Sequence, residues 1–483
     1  MEGLEISEVM LSYVLNKNDV FRFDSNFFQK NFLLEEEVIR NKEHKTLQNS
    51  GVGLRSFGAY SLNNEVTYLD NGIPFIRGVN MKKGRISFSD MIFIDDRANS
   101  LLWKSEVKPE TILLSMSGTI GDVAIASKHW NYPMNSNQDI AKIDTRGNIN
   151  PYFLYAFFMS RFGQNYLKRE ARGSVQQHVF LSQIDQFEVP VFSSVFEKQI
   201  QETIEKSDDL LFRSESLYAQ SQTLLLEDLG MANFSPSREA VNVKSYKDSF
   251  LSSGRLDAEY YQPKYEQIVK KIESNNHARL VDLVSIKKSI EPGSDVYTDE
   301  GTLFLRVSDY NKFGYTTPEK KLSNEFCNKN AALLAKLKPK KDTILFSKDG
   351  SVGIAYKVVK DEEFITSGAV LHLRVKDKTK MLPDYLTLAL NSNLVQMQAE
   401  RDAGGSIILH WRVGEIENVV VPVLNYNEQE RIAALVQESF ELKTQSEALL
   451  EIAKRGVEKA IETDESTANK WIIDECRRKN LIL

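Results

Sequence analysis

The sequence predicts an α+β fold in which two similar mixed α/β domains, arranged in tandem and pseudo-symmetric, are separated by two long helices that pair as an antiparallel coiled coil. Three observations predict it. The chain repeats itself, each copy contains short strand-like runs between turn residues, and each copy ends in a stretch with very few glycine or proline residues. The 483 residues also exceed the length of one ordinary domain, which is about 100–200 residues.

The repeat is visible as segments that return at a constant separation. Residues 112–121 (ILLSMSGTIG) match residues 344–353 (ILFSKDGSVG), and the VPV of residues 189–191 returns at residues 421–423. The separation is 232 in both cases, because 344 − 112 and 421 − 189 are equal. A constant offset over separate segments indicates duplication of one unit. We expect most of the shared residues to serve packing.

Each copy contains a globular part with strand and turn signals. In the first, residues 48–192, short apolar runs alternate with clusters of Gly, Asn, Asp and Ser, which is typical of strands and turns. Residues 151–167 are apolar and aromatic at helical spacing, so we expect one helix packed on these strands. The second globular part covers residues 278–424. We refer to these two parts as the first domain and the second domain.

The two spacers, residues 193–232 and 425–463, carry a seven-residue apolar repeat that is typical of coiled coils. The repeated positions are Ile204, Leu211, Tyr218 and Leu225 in the first spacer, and Leu435, Leu442 and Leu449 in the second. We expect the two helices to pair with each other inside one molecule. The alternative is an ordinary amphipathic helix packed on its own domain.

Three shorter segments complete the predicted organisation. Residues 1–47 are expected to pair with the repeat framework, because residues 22–29 (RFDSNFFQ) return as residues 255–262 (RLDAEYYQ). Residues 233–277 form a linker that carries this second copy. Residues 464–483 form a C-terminal tail.

The composition excludes several classes of protein. Apolar residues make up 42% and charged residues 27% of the chain, which is ordinary for a folded globular protein. The apolar runs are far shorter than the roughly 20 residues that cross a membrane, and the N-terminus lacks the basic region of a signal peptide. Two cysteines and six histidines exclude a disulfide framework and a cysteine-rich zinc site. We therefore expect a cytoplasmic protein without membrane contact.

The charge is distributed unevenly along the chain. The formal net charge is −6. Counting by segment, each domain carries about +2, whereas the first spacer carries about −5 and the C-terminal stretch about −3. Basic groups such as residues 82–85 (KKGR) and 336–341 (KLKPKK) lie in the domains. The acidic net charge therefore does not exclude nucleic acid as a partner of the domains.

No catalytic or metal-binding constellation is shared by the two copies. Residues 150–152 (NPY) resemble a methyltransferase base-binding loop but lack one proline, which favours a helix start. The GTIG of residues 118–121 lacks the Gly-Lys of a P-loop. Asp96, Glu106 and Lys108 have the spacing of a nuclease, but the second copy has no Glu before its Lys. We expect no catalytic residue, no metal site and no cofactor bound by this chain.

The two shared histidines, His178 and His410, also lack a neighbouring carboxylate or cysteine in the sequence. A histidine acts as a general base when such a partner orients it. The sequence therefore gives no reason to assign them catalysis.

The architecture itself favours a bipartite DNA reader. About 30 helical residues at 1.5 Å each span roughly 45 Å, and one turn of B-DNA is about 34 Å. Two domains carried by such helices could address two half-sites about one turn apart. The copies agree at framework positions and differ in their loops, as expected if each domain reads a different half-site.

The tandem order of domain and helical spacer resembles the specificity subunit of type I restriction-modification systems, as do residues 255–264 (RLDAEYYQPK), 72–77 (GIPFIR) and 112–118 (ILLSMSG). The resemblance extends over nearly the full length. It implies that each domain is a target-recognition domain and that the chain is a non-catalytic, DNA-binding subunit of an enzyme complex. The sequence departs from the family where the spacers begin: residues 189–199 and 421–429 keep only the first proline and a late Glu or Gln of a proline-rich segment.

The resemblance also implies partners. These are double-stranded DNA, modification (methyltransferase) subunits, expected to number two, and restriction/translocase subunits. S-adenosylmethionine, ATP and magnesium are then expected on those partner subunits and not on this chain. Three alternatives remain open: the recognition subunit of another phage-defence methylation system, a two-headed scaffold that binds peptides or sugars and not DNA, and an enzyme of unfamiliar motif.

The candidate DNA-binding residues are basic and polar side chains in the domain loops. Lys and Arg contact phosphates, while Asn, Gln, Arg, Ser and His read base edges. In the first domain we predict Arg77, Lys82, Lys83, Asn137, Gln138, Arg172, Gln176, Gln177 and His178. In the second domain we predict Arg306, Lys312, Lys348, Ser351, Ser406, His410 and Arg412. For Arg77 and Arg306 the alternative is a role in the framework.

Overall fold

The structure, a computed structural model, describes residues 7–16, 22–56, 65–173, 177–239, 241–405 and 407–482. The chain divides into two compact units. The first unit comprises residues 1–212 and 443–483, and the second comprises residues 213–442. Each domain therefore lies within one unit, and each of the two long helices is divided between the units.

The first half of the chain contains twelve strands and seven helices among its described residues. The strands are β1 (His44–Thr46), β2 (Gly53–Arg55), β3 (Ile73–Ile76), β4 (Met81–Lys82), β5 (Arg85–Ile86), β6 (Ile92–Ile94), β7 (Glu106–Val107), β8 (Ile112–Ser115), β9 (Val123–Ile125), β10 (Met134–Ser136), β11 (Ile140–Asp144) and β12 (Glu188–Pro190). The helices are α1 (Leu11–Asn16), α2 (Lys30–Arg40), α3 (Asp96–Leu101), α4 (Pro151–Met159), α5 (Arg161–Glu170), α6 (Leu181–Ile184) and α7 (Ser194–Asp228).

The second half contains twelve further strands and ten helices among its described residues. The strands are β13 (His277–Arg279), β14 (Val284–Lys288), β15 (Tyr297–Thr298), β16 (Thr302–Leu305), β17 (Tyr310–Asn311), β18 (Gly314–Tyr315), β19 (Lys321–Leu322), β20 (Ile344–Ser347), β21 (Ala355–Lys357), β22 (Ile365–Thr366), β23 (Val370–Val375) and β24 (Val420–Pro422). The helices are α8 (Phe250–Ser253), α9 (Pro263–Glu273), α10 (Leu280–Leu283), α11 (Asn324–Lys329), α12 (Ala331–Leu337), α13 (Pro383–Asn391), α14 (Asn393–Asp402), α15 (Val413–Glu417), α16 (Tyr426–Glu462) and α17 (Glu465–Arg478).

The two domains share the topology of their antiparallel sheet and one parallel strand pair. An antiparallel sheet has the order β2-β11-β8-β9 in the first domain and β14-β23-β20-β21 in the second. A second sheet in each contains one parallel pair, β3 with β10 and β16 with β22. The register is also the same, since Ser115 pairs with Ile140 and Ser347 pairs with Val370. The predicted duplication is therefore confirmed at the level of backbone pairing.

The prediction of one helix over residues 151–167 is wrong in one respect, because the helix is interrupted at Ser160 and two helices, α4 and α5, form instead. Ser160 has an extended backbone (φ −65°, ψ 160°) and its hydroxyl accepts a hydrogen bond from the backbone N–H of Gly163, which starts α5. Gly163 lies so close to α4 that a Cβ at this position would be 2.3 Å from the carbonyl oxygen of Phe157. The second domain breaks at the corresponding place, Ser392, between α13 and α14.

The two long helices predicted from the seven-residue repeat are confirmed as α7 and α16. In the first unit, the hydroxyls of Ser207 and Ser446 each donate to the other residue's carbonyl oxygen, at 2.7 and 2.6 Å. In the second unit, Ser214 and Ser439 form the same reciprocal pair, at 2.7 and 2.8 Å. Position numbers rise along α7 while their partners fall along α16, so the pairing is antiparallel. Each buried hydroxyl is satisfied by the facing backbone.

The terminal segments are part of the first unit's core. Strand β1 pairs with β12, and Arg40 of α2 forms an ion pair with Glu188 of β12 at 2.8 Å. The predicted C-terminal tail contains a helix, α17, whose Ile472 is buried against α16. Gly456 of α16 permits this contact, because a Cβ there would lie 2.6 Å from the Cδ1 atom of Ile472. Among the described residues, no helix combines the length and the apolar character needed to span a membrane.

The close approach at Gly163 gives a stability prediction. Gly163→Ala adds a methyl group that overlaps the Phe157 carbonyl, and this outweighs the gain in helix propensity of about 1 kcal/mol. We expect the free energy of unfolding to fall by about 2 kcal/mol. Chemical denaturation followed by circular dichroism measures this change.

Gly414→Ala is the matched control, because no heavy atom lies within 4 Å of the Cβ position at Gly414 of α15. Because the added methyl group meets no atom, this variant should match or exceed the stability of the unmodified chain. Equal stability of the two variants would show that the α4–α5 junction adapts to a side chain at residue 163.

Candidate nucleic-acid interface

In the first domain, two predicted residues lie side by side because β3 and β10 are parallel. Ile76 is opposite Ser136 in this pair, so Arg77 and Asn137 follow at the same end of the sheet. The backbone N–H of Asn137 donates to the carbonyl oxygen of Ile76 at 3.0 Å. Gln138 is the next residue and is partly exposed.

Backbone hydrogen bonds bring residues 171–173 and 177–180 to the same place. The N–H of Met116 donates to Asp139 O at 2.8 Å, and the N–H of Val179 donates to Met116 O at 2.9 Å. Arg172 and His178 exchange two backbone hydrogen bonds of 2.9 and 2.7 Å and thereby close a loop. We call Arg77, Asn137, Gln138, Arg172, Gln177 and His178 the first-domain site.

The remaining residues of this segment differ in what the structure describes. Gln177 is exposed, His178 is partly exposed and its ring lies 4.7 Å from that of Phe180. Gln176 lies outside the described residues, so its predicted role stays a prediction.

Several buried polar atoms at the first-domain site have no hydrogen-bond partner. They are Nε of Arg77, Oδ1 of Asn137 and Nε of Arg172. The described residues contain six such atoms, and a fourth, Nε1 of Trp411, lies in the corresponding segment of the second domain. Unsatisfied buried polar atoms are rare in folded proteins. Three of the six lie at the first-domain site, and one lies beneath the corresponding loop of the second domain.

The second domain builds the same arrangement. Leu305 is opposite Thr366 in the parallel pair of β16 and β22, and the N–H of Ser367 donates to Leu305 O at 2.9 Å. The N–H of Lys348 donates to Ala369 O at 2.8 Å, and the N–H of Trp411 donates to Lys348 O at 2.7 Å. Gly404 and residues 407–410 therefore reach the same strand ends as Arg172 and residues 177–180 do in the first domain.

The predicted residues Arg306, Lys348, Ser351, His410 and Arg412, which we call the second-domain site, lie around these strand ends. Arg306 is held by an ion pair of 3.2 Å with Asp309. Ser351 is exposed in the turn after β20, and its carbonyl oxygen accepts from the hydroxyl of Ser347 at 2.5 Å. Arg412 is exposed at the start of α15. Ser406 lies outside the described residues.

The structure corrects one expectation about His410. The sequence shows no carboxylate near it, but Nδ1 of His410 lies 2.8 Å from Oδ1 of Asp349, which precedes it by 61 residues. Asp349 also forms an ion pair with Lys348. A backbone bridge joins Asp349 to His410, as a bridge joins Ser117 to His178 in the first domain. His410 therefore lies in a polar cluster with Asp349 and Lys348 at the second-domain site.

The predicted lysines Lys82, Lys83 and Lys312 lie on two hairpins, one in each domain, that contact the long helices. Lys82 and Lys83 lie on the β4–β5 hairpin, and Lys312 lies on the β17–β18 hairpin. In the first domain, the guanidinium of Arg85 on the β4–β5 hairpin donates to Ser446 Oγ at 3.1 Å. In the β17–β18 hairpin, Nζ of Lys312 lies 5.2 Å from the ring of Tyr218 on α7. Lys82 and Lys83 are exposed. These hairpins connect each domain to the helical segment of its own unit.

The other motifs considered from the sequence have structural roles. Asn150 caps α4, accepting hydrogen bonds from Tyr152 N at 3.0 Å and Phe153 N at 3.2 Å, which confirms the helix start. The glycine turns are anchored to the following helices, since Gln164 donates to Gly121 O at 2.8 Å and Gln396 donates to Gly353 O at 2.7 Å. Among the described residues, no group of three His, Cys, Asp or Glu side chains is placed to hold a metal ion.

Sequence reasoning missed a buried base beneath each site. Lys142 of β11 is opposite Leu113 of β8, and His372 of β23 is opposite Leu345 of β20, so they occupy the same sheet position. Nζ of Lys142 lies 3.2 Å from Ser105 Oγ and 3.5 Å from the carbonyl oxygen of Asn137. The signal that could have revealed it is a lysine inside a strand, IAKID, whose first four residues are buried.

Burial changes the titration of both bases. It lowers the pKa of Lys142 to about 7, with the nearby charge of Arg55 as a further cause. It lowers the pKa of His372 to about 4, with Lys287 as the further cause. The imidazole of His372 lies 2.8 Å from Thr366 Oγ1, at the end of β22. Near neutral pH the first domain therefore holds a base close to its titration point, whereas the base in the second domain is neutral.

The type I restriction modification DNA specificity domain family matches residues 58–216 and 276–452 of the chain. A relative is the specificity subunit of the type I restriction enzyme MjaIX from Methanocaldococcus jannaschii, which is 24% identical over 335 residues, covering 68% of this chain and 71% of the relative.

Two solved structures are also similar. One is the S subunit of a type I restriction-modification system from M. genitalium, with 15% identity, coverage of 89% of this chain and 95% of that chain, and a TM-score of 0.37. The other is the HsdS subunit from Thermoanaerobacter tengcongensis, with 14% identity, coverage of 87% and 97%, and a TM-score of 0.28.

The depressed pKa of Lys142 predicts a pH dependence of stability. The pKa is about 7 in the folded chain and about 10.4 in an unfolded one, so the unfolded state binds more protons between these values. The contribution of Lys142 to the free energy of unfolding therefore rises with pH from about 7 to about 10. Lys142→Met should remove this slope, as measured by urea denaturation at several pH values.

His372→Leu serves as the comparison, because it should change the free energy of unfolding in a different pH range. The folded pKa of about 4 lies below the ordinary value of about 6.5, so its contribution is lost only as the pH falls through that window. A slope between pH 7 and 10 that persists in Lys142→Met would contradict the assignment of this titration to Lys142.

Proposed function

Because the chain belongs to the type I restriction modification DNA specificity family, we propose that its two domains each read one half of a bipartite DNA target and deliver partner enzymes to it. Recognition of a DNA target for such a complex is the function that the family supplies. This family membership selects the DNA-reading interpretation over a scaffold for peptides or sugars. It also assigns catalysis to other subunits.

One observation carries the bipartite proposal: the same site is built twice, from the same backbone pairings, with different side chains. Asn137 follows β10 in the first domain, whereas Ser367 follows β22 in the second. The loop that reaches each site contains Gln177 in one domain and Leu409 in the other. A repeated framework with altered side chains is what the reading of two different half-sites requires.

In the first domain, the amide side chains are the base readers in this proposal. Asn and Gln can bond adenine through two hydrogen bonds in the major groove, and His can donate or accept there. Asn137, Gln138, Gln177 and His178 fit this role, and Arg172 stands beside them. Arg77 is bound to the framework through a hydrogen bond from Nη2 to Asp90 O at 2.9 Å.

In the second domain, cationic side chains take the larger part. Lys348, His410 and Arg412 present donors for guanine and for phosphates, and Ser351 lies in the adjacent turn. Arg306 combines a framework ion pair with a position at the strand end. Lys82, Lys83 and Lys312 are proposed as phosphate contacts, at hairpins that also meet the long helices.

The proposed partners are modification subunits, with two expected because the framework is duplicated, and restriction/translocase subunits. S-adenosylmethionine, ATP and magnesium would be bound by those subunits in the cytoplasm. Each domain carries only about +2, and specific affinity for DNA rises with the number of phosphates neutralised. The chain alone should therefore bind DNA weakly, with its partners contributing further phosphate contacts.

The proposal predicts separable half-sites. We expect the triple variant Asn137→Ala, Gln138→Ala and His178→Ala to abolish protection of one half of the target and to leave protection of the other half. Each lost bidentate base contact is worth about 1–3 kcal/mol, a factor of about 5 to 150 in affinity. The measurement is footprinting of the assembled complex with its modification subunits on a target identified by mapping methylated bases.

The second domain supplies the matched control. The triple variant Lys348→Ala, His410→Ala and Arg412→Ala should remove protection of the opposite half. A uniform loss of binding to all DNA in both variants would instead indicate simple charge attraction and would refute reading by separate domains.

A further inference from the structure

The loop of the second domain that closes at His410 exposes three consecutive apolar side chains. Ile407 is 95% exposed, Ile408 is 55% exposed and Leu409 is 41% exposed. We call residues 407–409 the apolar tip. Three adjacent exposed apolar residues are unfavourable in water and normally have a functional cause.

Backbone hydrogen bonds at the base of the loop fix the position of the apolar tip. Gly404 and His410 exchange backbone hydrogen bonds of 3.1 and 2.7 Å, and the N–H of Gly350 donates to Leu409 O at 2.8 Å. Gly405 has φ +135°, and a Cβ there would lie 2.1 Å from Ile408 O, so this turn requires glycine. The loop is therefore fixed at its base by main-chain contacts, and its apolar side chains point away from the core.

The surroundings of the apolar tip are polar and carry both signs of charge, because the carboxylate of Asp349 pairs with Lys348 and lies 2.8 Å from His410. His410 follows it directly, Arg412 lies two residues beyond, and Lys348 and Ser351 flank the turn that bonds to Leu409. These are the residues of the second-domain site. A small apolar surface next to the basic side chain of Arg412 and to hydrogen-bonding groups complements a DNA groove, where methyl groups are interspersed among base-edge acceptors and phosphates.

The first domain carries glutamine at two of the three equivalent positions. Residues 407–409 (IIL) correspond to residues 175–177 (VQQ), since 407 − 175 and 409 − 177 both equal 232. The loop base is the same in both, because Arg172 pairs with His178 as Gly404 pairs with His410. Gln177 is exposed, while residues 174–176 lie outside the described residues. The same loop base thus carries the exposed amide of Gln177 in one domain and exposed aliphatic side chains in the other.

This difference follows the chemistry of the major groove. An amide bonds adenine at N6 and N7, whereas an apolar side chain contacts the 5-methyl group of thymine. Resting on the proposed function, we propose that Ile407, Ile408 and Leu409 read thymine methyl groups in the second half-site through direct apolar contact. The apolar tip is then a specificity determinant of one domain, and the Gln-bearing loop is its counterpart in the other.

The test uses the unmodified chain in its assembled complex and changes only the DNA. Each thymine of the mapped second half-site is replaced in turn by uracil, which lacks the 5-methyl group but keeps the same hydrogen-bonding groups. Loss of one buried methyl contact corresponds to about a four-fold loss of affinity. We expect at least one position in the second half-site to show it. Uracil opposite the amide loop in the first half-site should have no such effect.

A second arm assigns the methyl contact to the apolar tip. Ile408→Ala should weaken binding to the thymine target and make binding insensitive to uracil at the affected position. The control is Val359→Ala, because Val359 is 55% exposed in the same domain but follows β21 at the end of the hairpin away from Lys348. This control should bind thymine DNA as tightly as the unmodified complex and should keep the sensitivity to uracil.

Three outcomes would overturn the proposal. Equal affinity for thymine and uracil at every position would show that no methyl group is read. A strong rise in 2-aminopurine fluorescence without a uracil effect would place the apolar tip between base steps instead. Loss of the modification subunits from Ile408→Ala, with DNA affinity otherwise unchanged, would assign it to a protein partner. If Lys348→Ala and Arg412→Ala also left DNA recognition intact, the proposed function itself would fail.

Discussion

The candidate sites depend on one constraint, the parallel pairing of two very short strands in each domain. The pair of β3 and β10 is only two residues long, Phe75 with Asn135 and Ile76 with Ser136. Parallel strands end at the same side, so the residues that follow both strands are brought together from positions about 60 apart in the sequence. So short a pairing has few backbone hydrogen bonds of its own. It is stabilised by buried polar side chains: Asn135 donates to Asn99 at 2.9 Å, and Lys142 reaches Ser105 at 3.2 Å.

In the second domain, a different buried basic side chain stabilises the short parallel strand pair. His372 replaces Lys142 at the equivalent sheet position and bonds Thr366, the last residue of β22. A lysine ammonium only donates hydrogen bonds and so requires acceptors around it. A neutral imidazole has one donor and one acceptor nitrogen and can pair with a hydroxyl. The two domains therefore keep a buried basic side chain at the same sheet position but use a lysine in one and a histidine in the other. Lys142 and His372 each lie next to the end of the parallel strand pair. The exchange of the buried base therefore accompanies the change from Asn137 to Ser367, the residues that follow these strands.

The sequence analysis predicted the elements that local patterns determine. The seven-residue repeat predicted α7 and α16, and the constant offset predicted two domains of one topology. It did not predict the break at Ser160, because apolar and aromatic residues recur at helical spacing on both sides of this serine and serine is tolerated in helices. It also missed the pairing of His410 with Asp349, which only tertiary structure brings together.

The relation between Lys142 and His372 was hidden for a similar reason, since the offset between them is 230 and not the 232 of the flanking segments. An offset of 232 aligns Lys142 with Arg374, which is exposed. The burial of the two bases and their common register exist only in the folded sheet. The candidate residues around the sites could be named from residue type, but their grouping into sites and hairpins required the structure.

The way the sites are attached to the fold explains how their side chains can differ. The bonds that place them join main-chain atoms, such as Asn137 N to Ile76 O, Ser367 N to Leu305 O, and the reciprocal pair of Gly404 and His410. Main-chain bonds are made by every residue except proline as donor, so substitution of the side chain leaves them intact. Only positions such as Gly405, where the backbone conformation excludes a side chain, are restricted. A framework held by its backbone can therefore present amides in one copy and aliphatic groups in the other without a new fold.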